Sequence, residues 1–262
     1  MSRFTLKHAL GPLVLSGILF ATPTGSWAAD SGAGDDWQIA AILYMWAPGI
    51  NGSTAGGSEI DVSFDTLISN LNMTFMGAVE ARKGPWSLLG DVIYLNAGGD
   101  GGGEVPIAAA PGVAADVQVD VKTRSWVLNL IGGYNIWQSE QGSLDALLGA
   151  RYLEMKVDFG LDVALGPFAI SRALSPQDTV LDGVMGVKGH YNINPKWYVP
   201  FYLDAGTGES ELTWQASAGI AYRFNWGDVS LLYRHLAWEF ASGDRLNDIS
   251  ISGPLLAAKF VF

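Results

Sequence analysis

Twelve charged residues recur at alternate positions of apolar stretches. Six are acids, Glu80, Asp91, Asp145, Asp182, Asp204 and Glu211; six are bases, Arg82, Arg151, Lys188, Arg223, Arg234 and Lys259. Charges spaced two apart share one face of an extended segment and leave the other face apolar. Balanced signs on a confined face predict mutual pairing, because an unpartnered buried charge is costly whereas a hydrogen-bonded network is tolerated. Such a lining serves either as a structural plug of ion pairs or as a polar path for ions and small solutes, opened when the pairs rearrange.

Other chemistry is sparse. Acyl transfer needs a nucleophile held beside a base. Beyond the first residues the only histidines are His190 and His235. His190 stands just before the turn at Asn192, His235 faces away from Arg234, and neither has a partner legible in the sequence. No Asp-x-His pair and no metal-ligand spacing occur. The expectation is therefore no enzyme, no metal and no cofactor. Asp100 and Glu104 in the stretch GGDGGGE are placed to hold Ca²⁺ weakly, but a flexible solvated loop is the expected reading.

The elements that must position these side chains are strands. Leu212, Trp214, Ala216, Ala218, Ile220, Tyr222 and Phe224 alternate with Thr213, Gln215, Ser217, Gly219 and Arg223. Phe75, Gly77, Val79 and Ala81 likewise alternate with Met76, Ala78, Glu80 and Arg82. The same period marks ten stretches: 37–46, 73–83, 86–95, 117–136, 144–165, 179–191, 197–205, 212–224, 229–240 and 249–262. Tight turns are predicted at 83–85, 138–142, 192–195 and 225–228, and longer loops at 96–115, 166–177 and 242–248. The Gly-rich segment after Trp46 reads as a loop holding a short helix from Ser63 to Leu71. The link 206–210 is short where a long loop is expected, and 144–165 is long enough to project beyond a bilayer.

Composition selects the setting. The chain is 49% hydrophobic and only 16% charged, yet no run of about 18 apolar residues follows the N-terminal segment, which rules out a spanning helix. Within lipid the remaining solution is a closed barrel. The predicted fold is an all-β, transmembrane antiparallel up-and-down barrel of ten strands, with eight as the alternative if two are loop ribbons. A soluble sandwich would keep the alternation but bury the aromatics. Trp37, Trp46, Trp86, Tyr94, Trp197, Tyr222 and Phe262 stand near strand ends instead, which suits interfacial girdles.

Residues 1–28 read as a signal peptide, with Arg3 and Lys7, an apolar run and the site Ser26-Trp27-Ala28; the barrel is expected over 29–262. The absence of Cys leaves stability to a core or a membrane. Without the leader, 26 acidic residues face 13 basic ones, which excludes nucleic acid as a partner. The final stretch ISISGPLLAAKFVF predicts Phe260 and Phe262 towards lipid, as the insertion signal read by the barrel-assembly machinery, with Lys259 and Val261 towards the lumen. Pro254 is expected to mark a bulge or the outer limit of that strand.

The segments YMWAPGINGS (44–53), SFDTLISNLNMTFMGAVEARKGPWSLLGDVIYL (63–95), LDGVMGVKGHYNINPKWYVPFYLDAG (181–206) and ASAGIAYRFNWGDVSLLYRHL (216–236) resemble a group of small, largely uncharacterised outer-membrane β-barrel proteins of Gram-negative bacteria. The resemblance implies the cell outer membrane as location and its lipid as surroundings, and supplies no catalytic motif. The expected function is a structural barrel or a narrow pore for ions or small solutes. The alternative is a barrel that binds a ligand or lipid through acidic extracellular loops, and a barrel enzyme ranks below both.

Overall fold

The computed structural model describes residues 36–54, 57, 59–65, 71–106, 114–165, 168–174, 177–241 and 246–262. The expected leader at 1–28 lies outside the described residues. So does most of the expected helix: Phe64 and Asp65 are helical, 66–70 are not described, and Leu71 already starts a strand.

The described strands are β1 (Gln38–Trp46), β2 (Gly49–Thr54), β3 (Glu59–Val62), β4 (Leu71–Lys83), β5 (Trp86–Pro106), β6 (Ala114–Ser139), β7 (Gly142–Leu165), β8 (Phe168–Leu174), β9 (Gln177–Asn192), β10 (Trp197–Gly208), β11 (Leu212–Phe224), β12 (Gly227–Glu239) and β13 (Leu246–Val261). Ten of them follow one another around a barrel in the order β1-β4-β5-β6-β7-β9-β10-β11-β12-β13, and β13 pairs back with β1. The closing register runs from Ala40 opposite Val261 to Trp46 opposite Leu255. Every neighbour is antiparallel, and closure leaves the spanning region without an edge. The barrel has ten strands, not eight.

β2, β3 and β8 are ribbons at the end opposite the tight turns. Three expected loops are therefore strands. β5 runs on through GGDGGGE to Pro106, with Asp100 opposite Asp120 and Glu104 opposite Asp116. β8 folds back on the tip of β7, and β2 pairs with β13 above β1. Glycine tolerates extended backbone as readily as turns, so composition suggested a loop where a continuing partner strand supplied ladder bonds. β6 is 26 residues long, against the roughly 9–11 needed to cross a bilayer, and the excess stands outside it.

Pro254 marks neither a bulge nor a strand end. It lies within β13 opposite Tyr233, and the register shift in this strand falls between Leu246 and Asp248. At Pro254, β13 exchanges one neighbour for another: Trp46 of β1 is opposite Leu255, and Gly49 of β2 is opposite Ser252. The proline carbonyl still accepts from the Ala47 N–H at 2.9 Å, so its missing N–H costs one bond at the handover. Adjacent Gly253 is required there, since a Cβ would stand 2.1 Å from the Ala47 carbonyl oxygen.

The outward face is apolar and uncovered. Leu148 is 68% exposed and Met185 67%, with Leu130, Leu181, Leu203 and Leu256 around them. A continuous belt of this kind belongs in lipid, not water. Near the tight turns, Trp86 packs edge-on against Tyr134 and Trp197 against Tyr222; towards the other rim Tyr94 tilts against Trp126. Trp46 is the exception to the expected girdle. It shares the inward parity of Tyr44 and is 6% exposed, with Nε1 donating to the Gly253 carbonyl at 3.2 Å. Val261 and Lys259 pair with the inward residues Ala40 and Ile42, which leaves Phe260 and Phe262 on the outer side.

Because the chain lacks Cys, orientation can be read by labelling. Arg124→Cys on the long-ribbon side should react with a membrane-impermeant maleimide on intact cells, and Gln141→Cys at a tight turn should react only after the outer membrane is opened. Gly253→Val should abolish the heat-dependent gel shift of a folded barrel, because its side chain cannot coexist with the Ala47 carbonyl.

Candidate functional site

The inward side chains fill the lumen in layers. At the tight-turn end Glu80 receives Lys188 Nζ at 2.6 Å, Arg82 at 3.3 Å and Lys259 at 3.7 Å. Arg82 also bonds Asp145, whose other oxygen accepts from the Asn135 amide at 2.7 Å. The register makes this cluster, since Asp145 of β7 lies opposite Lys188 of β9. Beside it the Tyr198 hydroxyl donates to Asp228 at 2.7 Å, and the Arg223 guanidinium lies 4.4 Å from the Tyr198 ring centre.

Above this comes an apolar layer of Ile131, Leu147 and Val184, packed by Leu89 and Tyr202. Next is the central polar layer. Arg151, with no exposed surface, grips both Asp204 oxygens from Nη2 at 2.8 and 2.6 Å, Asn129 from Nε at 2.9 Å and Thr213 from Nη1 at 2.9 Å. Arg234 donates to Asp91 at 3.0 Å, Gln215 at 2.7 Å and the Tyr44 hydroxyl at 3.2 Å. Asn129 joins the two halves, accepting from Arg151 and donating to Asp91 at 3.1 Å. The Tyr44 and Tyr202 hydroxyls complete Asp91 and Asp204, each at 2.5 Å. Seven strands meet in this network: β1, β5, β6, β7, β10, β11 and β12.

A second apolar layer covers it on the ribbon side: Trp46, Met76, Ile93, Val127, Leu153, Val180, Leu236, Trp238, Ile249 and Leu255. Trp46 lies over Arg234, 5.1 Å from ring centre to guanidinium carbon. The four central charges are all buried, the condition under which geometry and pairing decide whether they are tolerated.

Nine of the twelve expected charges thus meet in ion pairs, as two separate groups. Glu80, Arg82, Asp145, Lys188 and Lys259 form the mouth group; Asp91, Arg151, Asp204 and Arg234 form the central one. The other three do different work. Asp182 lies opposite Arg151 in register but accepts from the Ser210 backbone N–H at 2.9 Å and hydroxyl at 2.8 Å. It ties down the short β10–β11 link, which explains how that link can be short on the long-loop side. Glu211 is exposed at the rim. Arg223 donates to Asn192 at 2.9 Å and to the Pro195 carbonyl, pinning the β9–β10 turn.

Sequence reasoning missed the neutral members: Tyr44, Asn129, Tyr202, Thr213 and Gln215. All have inward parity, and a search for polar residues in phase with the charges would have found them. It also left both histidines alone. The structure pairs His190 Nδ1 with Ser143 Oγ at 3.0 Å and His235 Nδ1 with Ser252 Oγ at 2.7 Å. Among the described residues no cluster is suited to hold a metal.

Neither a family model nor a curated protein matches this sequence. Solved structures do match in fold. The outer-membrane protease OmpT from Escherichia coli aligns over 87% of this chain and 97% of its own, at 9% identity and a TM-score of 0.50. The translocator domain of the autotransporter NalP from Neisseria meningitidis aligns over 88% and 90%, at 16% identity and 0.43. The attachment invasion locus protein Ail of Yersinia pestis aligns over 86% and 98%, at 13% identity and 0.37. At such identities the likeness is one of fold. With the closed ten-strand sheet and its uncovered apolar belt, the likeness to OmpT settles the class. The chain is an outer-membrane β-barrel.

The central pair of this barrel generates a measurable expectation. Arg151→Met or Asp204→Leu alone should lower unfolding stability in lipid by about 3–5 kcal/mol, because each strands a buried charge. The double variant should recover most of that loss. A double-mutant cycle by denaturant titration reads the difference.

Proposed function

We propose that this barrel is closed to solutes and serves as an anchor that presents its extended β-ribbons at the cell surface for binding. One observation carries the reading. Asp91, Arg151, Asp204 and Arg234 are buried together in the lumen, between apolar clusters built around Ile131, Leu147 and Val184 and around Trp46, Leu236 and Trp238. An ion following the lumen would have to displace packed side chains and separate buried pairs, each change costing several kcal/mol.

The ribbons favour the binding role over a merely structural one. β5, β6, β7 and β8 continue beyond the bilayer as a paired sheet, a large investment of ordered chain for a passive plug. Their sequence sets Asp100, Glu104, Asp116, Asp120, Asp158 and Asp162 against Lys122, Arg124, Lys156 and Arg172, with Asp158 paired to Arg124 and Lys156, and the remaining acidic excess favours a cationic partner.

Planar bilayers containing the purified barrel should stay electrically silent, both for the native chain and for Arg223→Ala; regular conductance steps from the native chain would sink the closed-barrel reading. Removing residues 99–121 should leave the heat-dependent gel shift intact and sharply reduce capture of a polylysine probe at low salt.

A further inference from the structure

The outer surface carries a polar pair among lipid-facing side chains that are mostly apolar. His235 stands on β12 opposite Ser252 on β13, on the face that carries Leu231, Tyr233 and Leu256 and away from inward Arg234. Ser252 Oγ and His235 Nδ1 are 2.7 Å apart. The imidazole is tilted by 33° against the Trp214 ring with centroids 4.3 Å apart, which holds its orientation. An ionisable group within the membrane is costly, and points to function together with its partner.

Its depth is informative. His235 is eight positions along β12 from Gly227, about 19 Å from the tight-turn rim for a strand tilted by about 45°. In an apolar band about 25 Å tall, that is the outer half. There His235 borders an open cleft of about 530 Å³, lined also by Trp214, Ser250, Glu239 and Asp248, and holds Ser252 beside it through the Nδ1–Oγ contact. A serine hydroxyl within hydrogen-bond reach of an oriented imidazole is the arrangement of an activated nucleophile. At this height the substrate that reaches it by lateral diffusion is the acyl ester of a membrane lipid.

We propose that Ser252 and His235 form an acyl-ester hydrolase site on the outside of the barrel. The Ser252 hydroxyl donates to His235 Nδ1, so the neutral ring carries its proton on Nε2. Ser252 Oγ attacks the ester carbonyl carbon and its proton passes to Nδ1. The bond from that carbon to the alkoxy oxygen breaks, the leaving oxygen takes the proton from the imidazolium, and the acyl group stays on Ser252. Water then attacks the acyl carbon, giving a proton to Nδ1. The Oγ–acyl bond breaks, Oγ recovers its proton from Nδ1, and a fatty acid leaves. Trp214 acts as a positioning residue.

The test uses full-length barrel in detergent micelles with a fluorophosphonate probe. The native chain should be labelled at Ser252, located by peptide mass spectrometry. Ser252→Ala should lose the label, and His235→Ala should slow labelling by roughly 100-fold or more, the scale of a lost general base. The heat-dependent gel shift of each variant shows that the barrel remains folded. Fatty-acid release from phospholipid micelles and from acylated lipid A, assayed in parallel, identifies which ester is used. An unlabelled native chain, or a label that survives in Ser252→Ala, overturns the proposal.

Discussion

Backbone hydrogen bonding in a medium without water is the constraint on which everything else in this protein depends. Each N–H and C=O at membrane depth must find a protein partner, since one left unsatisfied in hydrocarbon costs several kcal/mol. That requirement closes β13 on β1 and sets the alternation that sends one side chain to lipid and the next to the lumen. It also explains where irregularity is tolerated. The proline in β13 stands where one neighbour ends and another begins, and the register shift of that strand lies near its ribbon end. The ribbons extend the same ladder past the membrane, as unpaired edges there would be liabilities of their own.

Closure forces a second problem inward. Inward positions of ten strands converge on a narrow space, and the polar ones among them must be satisfied by one another. The barrel separates them into two layers and divides these with hydrocarbon. Asn129 is central to that solution, because an amide can accept from one guanidinium while donating to the other side's carboxylate. Buried pairs are weak evidence of stability, but a network joining seven strands specifies register firmly: a one-residue slip of any strand would exchange its charges for apolar side chains. In the mouth layer three bases converge on Glu80, and there the side chains remain partly in contact with water.

How much was legible follows from what alternation encodes. Parity assigns a side to every residue, so Asp91, Arg151, Asp204 and Arg234 could be placed in the lumen before any coordinates. Trp46 shows the danger of leaving parity for composition: an aromatic near a strand end suggested the girdle, although its phase matches buried Tyr44. GGDGGGE failed for a related reason, since glycine content marks permissive backbone and says nothing about whether a partner strand is within reach.

The amino-acid sequence alone determined the class of fold, the ten crossings and which side chains face inward, because those depend on a period of two that is written locally. Only the tertiary structure decided who meets whom. Register between strands, and the closure that brings β12 and β11 round to β1 and β5, placed Arg234 beside Asp91 and Tyr44. It kept Arg151 from Asp182, its opposite in register, and gave it to Asp204. It set Ser252 against His235 across 17 residues of chain. These are long-range distances, fixed by how a closed sheet staggers its strands, and local spacing carries no record of them.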